Sequence, residues 1–506
     1  MPETKVLDSY EIVLGTLITR VDIFWEGDQF VPTYRISLAN ISPTTKLILE
    51  KIRREFISQV ALGALDVTTE EGVDIIRRKF EAEIRILIGK YFANLDEKTL
   101  NMLINYIIRQ NLGLGDIEIL LRDANLEEIV VNAADEPVWV YHRKHGWLRT
   151  NIFLDTEAKI RHYSTMIGRD VGKDITLLNP LLDAHLLSGD RVNATLHPIS
   201  TKGNTITIRK FAEKPWTITD LIKSNTMNVE AAAFIWLAMQ NELSILIAGG
   251  TGSGKTSTLN VISNFFPPNQ RIISIEDTRE ITLPNTLHWV PMATRLPNPE
   301  GKGEVTMLDL VVNSLRQRPD RIIVGEIRRQ REAEVLFEAM HTGHSVYATI
   351  HANNAKETID RLTNPPINLP KNVLGALSLL LVQNRNRRTG RRRTLQIAEI
   401  TDTGDATIIM QLDVHSDVLK KVGPMKRIRE TLKLYTGLSD QEIDKDLAEK
   451  AEIIRWLVKN DINNVHDIGL VMAKYYIGDV NVKNLDQLHA VIKRVREAEK
   501  TAEKTG

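Results

Sequence analysis

The segment from Gly249 to Thr256 constrains the fold more than any other part of the chain. Its sequence is GGTGSGKT, which fits the pattern G-x-x-x-x-G-K-[ST], and it follows the apolar run at residues 243–248. A strand, a glycine-rich loop and a helix in this order place backbone N–H groups and the positive end of a helix dipole around a polyphosphate. Lys255 is expected to reach the β and γ phosphate oxygens, and Thr256 is expected to offer its hydroxyl to Mg²⁺. The predicted nucleotide-binding residues are Gly249, Gly250, Thr251, Gly252, Ser253, Gly254, Lys255, Thr256 and Ser257.

Composition excludes several other kinds of protein. The 506 residues are 42% hydrophobic and 26% charged, which is typical of globular chains with several domains. Lys plus Arg and Asp plus Glu number 65 each, so no overall basic field favours nucleic acid. Cysteine is absent, which excludes disulfides, thiolate zinc sites and cysteine nucleophiles. No apolar run is long enough to span a bilayer and the N-terminus does not resemble a signal peptide. A cytoplasmic protein is therefore predicted, and any membrane role would be peripheral.

The first part of the chain is predicted to contain three segments. Residues 1–43 alternate apolar and polar side chains in places, so we expect one or two strands of a flexible lead-in. Residues 44–114 show helical periodicity and are predicted to form a helical region. Short β runs separated by turns indicate an α+β domain over residues 115–211.

The second part of the chain begins after a predicted linker at residues 212–216. Short β-branched runs alternate with helical sequence over residues 217–411, which is typical of a sheet covered by helices on both faces. Residues 412–506 are rich in charge and are predicted to be helical. The principal predicted strands are Ile245–Ala248, Arg271–Ile275, Arg321–Val324 and Ser345–Ile350.

Two of these predicted strands end in acidic residues. Glu276 and Asp277 follow the second strand, and Glu326 follows the third. Ligands of open α/β sheets bind at the carboxyl ends of the strands. Nucleotide hydrolysis needs a carboxylate to activate water and a metal near the phosphates. Glu326 is therefore the candidate base, Glu276 is a further catalytic candidate, and Glu276 or Asp277 is expected to bind Mg²⁺ through water.

Two histidines bracket the fourth predicted strand. His344 precedes it and His351 follows it, with His341 slightly upstream. The chain has no cysteine and places no acid beside these histidines, so a metal site is poorly supported. An imidazole that senses the γ-phosphate and transmits the signal across the sheet fits better. His344 and His351 are accordingly candidates for the catalytic set.

Four motifs, in order, resemble those of the type II/type IV secretion ATPase superfamily. They resemble that family's Walker A motif, Asp box, Walker B motif and His box, and they are Gly249–Thr256, Ile275–Glu280, Arg318–Asp320 with Gly325–Arg328, and Thr342–Asn353. The resemblance covers about residues 115 to 400. It implies an α/β fold in which a RecA-like P-loop ATPase domain follows a PAS-like α+β domain. It also implies Mg²⁺-dependent hydrolysis of ATP by a homo-hexamer, with ATP bound between the two domains.

The resemblance further implies arginine fingers near the end of the N-terminal domain. Arg191 and Arg209 occupy the matching places in two strand-like segments. The alternative is that both are ordinary surface cations of a sheet.

Two features indicate the archaeal branch of this superfamily. Bacterial export members usually carry a four-cysteine zinc insert, which a chain without cysteine lacks. Residues 179–194 and 206–211 look like the archaeal subfamily, which includes the archaellum motor ATPase and relatives in pilus assembly. Members are cytosolic and dock on a polytopic membrane platform protein. The resemblance therefore implies a motor for an archaeal type IV pilus-like filament or an archaellum, and it does not separate the two.

The only dense basic patch lies at residues 385–393, where Thr389 and Gly390 are interpreted as a hairpin turn. Its cations are either ordinary turn residues or contacts for anionic lipid headgroups and acidic loops of the platform. Nucleic acid is disfavoured because the cluster has no interleaved aromatic residues. The candidate lipid-contacting residues are Arg385, Arg387, Arg388, Arg391, Arg392 and Arg393.

Two alternative functions stay open on the sequence. One is a nucleic-acid-translocating ATPase of a conjugation-like system. The other is a regulatory nucleotide switch that does not sustain hydrolysis, although a pure switch needs neither Glu326 nor the two candidate fingers.

Overall fold

The computed structural model describes residues 5–14, 17–27, 29–38, 42–59, 70–92, 94–186, 188–211, 215–297, 301–480 and 485. The chain forms two compact units that divide between Glu213 and Lys214, within the predicted linker. Linker residues 212–214 lie outside the described residues. In its described part, each unit is built around a nine-stranded sheet.

The first unit begins with strands β1 (Lys5–Leu14), β2 (Leu17–Trp25) and β3 (Thr33–Leu38). Their alternating pattern buries one face of the strands, and Val21, Ile23 and Tyr34 are fully buried in the core of the following α+β domain. Strand β3 pairs in parallel with a later strand of that domain. The described residues of the predicted lead-in are therefore part of a folded sheet, which corrects the expectation of a flexible segment.

Three helices follow, namely α1 (Pro43–Gln59), α2 (Glu70–Tyr91) and α3 (Glu97–Leu112). Their facing sides share a separate core that includes Ile52, Ile84 and Ile107. Asp96 begins α3 by accepting a hydrogen bond from the backbone N–H of Thr99 at 2.9 Å. These helices account for the helical periodicity of the region.

The rest of the first unit has the mixed composition expected of an α+β domain. Its elements are α4 (Ile117–Arg122), β4 (Leu126–Val131), β5 (Pro137–His142), β6 (Gly146–Phe153), α5 (Glu157–Asp170), β7 (Leu181–His185), β8 (Arg191–Thr195) and β9 (Thr205–Arg209). The strand order is β1-β2-β3-β6-β5-β4-β9-β8-β7, and every neighbouring pair except β3–β6 is antiparallel. Helix α5 buries Ile160 and Ile167 in the core of this domain.

The second unit is a largely parallel α/β sheet with the glycine-rich loop at its centre. Its elements up to residue 363 are α6 (Ile218–Lys223), α7 (Val229–Gln240), β10 (Ile245–Gly249), α8 (Lys255–Ser263), β11 (Arg271–Glu276), β12 (His288–Ala293), α9 (Met307–Ser314), β13 (Arg321–Val324), α10 (Gln330–His341), β14 (Ser345–Ile350) and α11 (Ala355–Thr363). The strand order β12-β11-β13-β14-β10 is parallel throughout. The predicted fold class and the four principal predicted strands are confirmed.

The sheet continues beyond its parallel part. Strand β15 (Leu379–Arg385) pairs in parallel with β10, and β16 (Arg392–Ile400), β17 (Ala406–Asp413) and β18 (Val418–Lys421) then form an antiparallel meander. The first residues of the predicted helical region 412–506 therefore belong to the sheet. The described helices beyond it are α12 (Lys426–Thr436), α13 (Asp440–Lys459) and α14 (Val465–Tyr476).

Helices cover both faces of this sheet because successive strand residues enter two different cores. Ile247 faces the core that contains α7 and α8, whereas Leu246 faces the core that contains α10 and α11. Helix α7 is buried on almost every side under α13, and Trp236 stacks on Phe265 at 5.4 Å between ring centroids. The C-terminal helices thus complete the core on this face of the second unit's sheet. Among the helices of the described ranges, none is both long and apolar enough to cross a membrane.

Candidate functional site: a phosphate-binding loop at the carboxyl edge of the sheet

The loop between β10 and α8 needs glycine at three positions. Gly252 and Gly254 have φ angles of 68° and 92°, a backbone conformation that glycine adopts at little cost. A Cβ on Gly249 would lie 2.3 Å from Ser253 Oγ and 2.6 Å from the carbonyl oxygen of Gln383. The glycine pattern is therefore required by the fold of the loop.

Lys255 begins α8 and turns its ammonium back towards the loop. Its Nζ donates to the carbonyl oxygen of Gly250 at 3.2 Å, and Ser253 Oγ donates to the same oxygen at 2.8 Å. Burial lowers the pKa of Lys255, while the charge of Glu326 acts in the opposite direction. Thr256 follows in the first turn of α8 and is half-buried. A helix N-terminus with a lysine at its first position is an anion-binding arrangement.

Parallel pairing brings four chemically important positions to one edge of the sheet. Ala248 of β10 lies beside Ile350 of β14, and Val324 of β13 lies beside Ile275 of β11. The residues that follow these positions are thus gathered at the carboxyl edge, where the strands end. They are Gly249, Glu276, Glu326 and His351.

Glu326 is held by two side chains at this edge. Nε of Arg328 donates to Oε2 of Glu326 at 2.6 Å, and Nε2 of His351 lies 3.4 Å from Oε1. Burial lowers the pKa of His351, and the positive charge of Lys255 lowers it further. The negative charge of Glu326 acts in the opposite direction.

Glu276 is almost fully buried, with 1% of its surface exposed. Its Oε1 accepts hydrogen bonds from the backbone N–H groups of Glu280 at 2.9 Å and Ile281 at 3.1 Å. In the described part of the chain, Oε2 has no hydrogen-bond partner. Burial raises the pKa of Glu276 to about 7. One oxygen of this carboxyl group thus holds the loop after β11, and the other is available.

Asp277 is less suited than Glu276 to the expected Mg²⁺ contact. Its Oδ2 accepts from Nη1 of Arg328 at 2.5 Å, and its Oδ1 accepts from Oγ1 of Thr294 at 3.2 Å. No group of three or more histidine, aspartate or glutamate side chains in the described ranges forms a metal site by itself. The unpartnered oxygen of Glu276 and the hydroxyl of Thr256 fit a hydrated Mg²⁺ that is also bound by phosphate oxygens.

Arg328 is a functional candidate that the sequence reasoning did not single out. It bridges the carboxylates of Glu326 and Asp277, while 60% of its side chain is exposed to solvent. Its position two residues after Glu326, in the segment that resembles a Walker B motif, is the signal that could have identified it.

His344 lies at the opposite end of β14 from His351. Its Nδ1 is 3.3 Å from the carbonyl oxygen of Ala339 and 3.3 Å from Oγ1 of Thr342. Six strand residues lie between the two histidines, which makes seven steps and a span of roughly 23 Å at about 3.3 Å per residue. The structure therefore does not bring His344 to the carboxyl edge, which corrects its inclusion in the same catalytic set.

Arg191 and Arg209 form a directly opposed pair on neighbouring strands of the first unit. Both side chains are exposed, and Arg191 binds Asp183 through two hydrogen bonds, at 3.3 Å from Nε and 2.9 Å from Nη2. Like charges that face each other across strands are unfavourable unless an anion offsets them. Asp183 supplies such an anion to Arg191 in the structure.

The basic cluster at 385–393 is divided by the structure. Arg392 donates from Nε to the carbonyl oxygen of Gly252 at 3.0 Å, and Arg393 binds Asp417 at 2.7 Å through both Nε and Nη2. Arg385 packs against Gly252 from the neighbouring strand. The expected six-residue lipid surface is therefore wrong for these three side chains. Those that are exposed are Arg387, Arg388 and Arg391.

This fold and loop define a P-loop nucleotide-binding α/β protein. The chain belongs to the Type II/IV secretion system protein family, whose model matches residues 114–423. An uncharacterized protein of Methanocaldococcus jannaschii is 41% identical over 384 residues, 73% of this chain and 69% of its own length. A putative conjugal transfer protein of Mycobacterium tuberculosis is 32% identical over 300 residues, 56% of this chain and 84% of its own length.

Among solved structures, the ATPase DotB of Legionella pneumophila is similar with 20% identity and a TM-score of 0.44. That match covers 74% of this chain and 94% of DotB. The Methanocaldococcus relative agrees with the predicted archaeal branch of the family.

Proposed function

We propose that this protein is a Mg²⁺-dependent ATPase that acts as a motor for an archaeal type IV pilus-like filament or an archaellum. The observation that supports hydrolysis is the position of Glu326 beside Lys255 at the carboxyl edge, where the charge of its carboxylate partly offsets the lowering of the pKa of Lys255 by burial. A protein that only bound nucleotide would not need a carboxylate at this place. Membership in the secretion family supports the motor role.

Each group of the site has a chemical task in this proposal. The backbone N–H groups of the loop and Lys255 bind the β and γ phosphates, and bound Mg²⁺ supplies charge neutralisation there. Glu326 orients the attacking water and accepts its proton. His351 lies beside Glu326 at the end of β14, so it can report loss of the γ-phosphate along this strand.

The second wall of the proposed site comes from the first unit of the same or a neighbouring subunit. Arg191 and Arg209 would act as arginine fingers that offset charge developing on the phosphates. Their cross-strand pairing and exposure suit this task. A homo-hexamer with ATP between the domains would bring the two walls together.

The proposed location is the cytoplasmic face of the membrane, where the motor would dock on a polytopic platform protein. Arg387, Arg388 and Arg391 are the exposed cations of the basic cluster and could contact anionic lipid headgroups. Each such contact contributes about 1 kcal/mol near an anionic surface.

The test of this proposal is steady-state phosphate release by the full chain. Lys255→Ala should abolish turnover, and Glu326→Gln should lower it by roughly 10²- to 10⁴-fold while nucleotide still binds. Glu334→Gln, on the exposed side of α10, is a matched control that should leave the rate unchanged. A wild-type rate in Glu326→Gln would show that Glu326 is not the base, and single-turnover behaviour of the wild type would favour a regulatory switch.

Arginine fingers acting between subunits can be tested by mixing two inactive variants. Arg191→Ala lacks a candidate finger, and Lys255→Ala lacks the lysine of the phosphate-binding loop. In a mixed hexamer, an intact Lys255 in one subunit can meet an intact Arg191 from its neighbour, so part of the activity should return. Failure to complement at every mixing ratio would argue against fingers supplied by a neighbour.

The second candidate function, nucleic-acid translocation, is supported by the similarity to the putative conjugal transfer protein. It predicts that DNA stimulates the ATPase with a steep dependence on salt. A flat response to DNA, combined with stimulation by anionic vesicles, would decide in favour of the filament motor.

A further inference from the structure

Two arginines approach the phosphate-binding loop from outside the known loop motif. Arg385 ends β15 and Arg392 begins β16, and the two residues are directly opposed in the antiparallel register. Opposed residues project from the same face of a β-ribbon. Because Gln383 of β15 pairs with Gly249 of β10, the hairpin extends beyond the sheet beside the loop.

Both side chains contact the loop at its glycines. Nε of Arg392 donates a hydrogen bond to the carbonyl oxygen of Gly252 at 3.0 Å. A Cβ added to Gly254 would lie 3.4 Å from Cδ of Arg392. A Cβ added to Gly252 would lie 2.9 Å from Nη1 of Arg385. The absence of side chains at these glycines is therefore what allows the guanidinium groups to approach so closely.

Positive charge gathers around the phosphate-binding loop, and the carboxylates of Glu326 and Glu280 offset part of it at Lys255. Arg385, Arg392 and Lys255 bring three cations to the N-terminus of α8, which itself carries a partial positive charge. Arg393, which follows Arg392, forms an ion pair with Asp417. In the described part of the chain, Arg392 itself contacts the carbonyl oxygen of Gly252 and forms no ion pair with a carboxylate. A polyphosphate is the ligand whose charge offsets such a group.

We infer that Arg385 and Arg392 form a clamp that is part of the nucleotide site. Arg385 contacts the phosphate chain of the bound nucleotide, and Arg392 is a positioning residue that holds the loop through the carbonyl of Gly252. This inference rests on the proposed nucleotide binding and adds two residues to it. It also assigns these arginines to nucleotide rather than to lipid.

The test is equilibrium binding of a fluorescent ADP analogue to the full chain. Arg385→Ala should weaken binding about 10- to 100-fold, the range for a charge-assisted hydrogen bond of about 1.5 to 3 kcal/mol. Arg385→Lys should restore part of the loss. Arg387→Ala and Arg388→Ala are matched controls from the exposed hairpin turn, and both should bind as the wild type does.

The salt dependence of binding separates a phosphate contact from a structural effect. Loss of a cation that contacts phosphate should make the affinity of Arg385→Ala less sensitive to salt than that of the wild type. Arg392→Ala should bind more weakly with an unchanged salt dependence, because this residue acts through the loop, and Arg392→Lys should recover part of the affinity. An unchanged salt dependence in Arg385→Ala would overturn the phosphate contact.

Three further outcomes distinguish the possible errors. If Arg385→Ala and Arg392→Ala bind the analogue as tightly as the wild type while Lys255→Ala does not bind, the clamp is wrong and the nucleotide site stands. If the wild type itself does not bind the analogue, the proposed function fails. Loss of binding to phosphatidylserine vesicles in Arg385→Ala, with unchanged ADP affinity, would assign the arginine to lipid and overturn the inference.

Discussion

Replacement of Glu276 by glutamine should separate two tasks of one carboxyl group. Oε1 of Glu276 accepts hydrogen bonds from the backbone N–H groups of Glu280 at 2.9 Å and Ile281 at 3.1 Å. In Glu276→Gln, the amide oxygen must occupy the position of Oε1 because only an oxygen can accept these bonds. The amide nitrogen then takes the place of Oε2, which has no partner in the described residues. A nitrogen that donates cannot accept a hydrogen bond from metal-bound water. We therefore expect an intact loop and a higher requirement for Mg²⁺.

The magnitudes follow from the number of groups left without partners. Glu276→Ala leaves two buried N–H groups unsatisfied, at about 1 to 3 kcal/mol each, so it should lower the free energy of unfolding by about 2 to 6 kcal/mol. Glu276→Gln keeps the acceptor and should cost less than about 1 kcal/mol. Loss of one hydrogen bond to metal-bound water, about 1.5 to 2.5 kcal/mol, should raise the half-saturating Mg²⁺ concentration roughly 10- to 70-fold.

The assays are denaturant unfolding, amide hydrogen exchange at residues 280 and 281, and phosphate release as a function of Mg²⁺. Asp277→Asn is the comparison, since Arg328 and Thr294 already occupy both oxygens of Asp277 and a smaller change in Mg²⁺ requirement is expected. Equal destabilisation by glutamine and alanine would refute the hydrogen-bonding argument. An unchanged Mg²⁺ requirement in Glu276→Gln would show that this residue only supports the loop.

Three further predictions concern other buried groups. Gly249→Ala should weaken nucleotide binding at least about tenfold because the Cβ of alanine would collide with the backbone of β15 at Gln383. Gly250→Ala should have a smaller effect in the same nucleotide-binding titration. Arg321 is fully buried with its guanidinium 4.7 Å from the ring centroid of Phe266. Arg321→Ala should lower the free energy of unfolding by about 2 to 5 kcal/mol because it leaves a cavity, and Arg321→Met should lower it less, as measured by denaturant midpoints. Burial lowers the pKa of His142 from 6.5 to about 4, so the unfolding free energy should fall by up to about 3 kcal/mol as the pH drops from 6.5 to 4. His142→Asn should remove that part of the pH dependence, and parallel pH profiles for the two proteins would contradict the assignment.

The central strands and their acidic ends were predictable because they depend on short segments of the chain. Strands β10, β11, β13 and β14 are brief and rich in β-branched apolar residues, which indicates a sheet covered on both faces. Parallel strands end at the same edge, so Glu276 and Glu326 could be placed near the loop without coordinates.

Pairings between distant segments were not predictable from local pattern. Strand β3 joins β6 in parallel across more than a hundred residues, and the C-terminal helices bury Trp236 in the core of the sheet. An alternating strand or an amphipathic helix shows which face will be buried but not what will cover it. The predicted helical region 44–114 and the C-terminal helical region were therefore located but not assigned to a partner.

The sequence by itself predicted nucleotide binding at a glycine-rich loop, and it identified the family and the carboxylates at the strand ends. These conclusions depend on residue type and on spacing along a few tens of residues. Only the tertiary structure decided the roles of the basic cluster: Arg392 holds the loop, Arg393 pairs with Asp417, and Arg387 and Arg388 face solvent. The physical reason why the sequence could not assign these roles is that the six arginines of residues 385–393 have the same chemistry. They differ only in their strand register and in the groups from distant parts of the chain that pack against them.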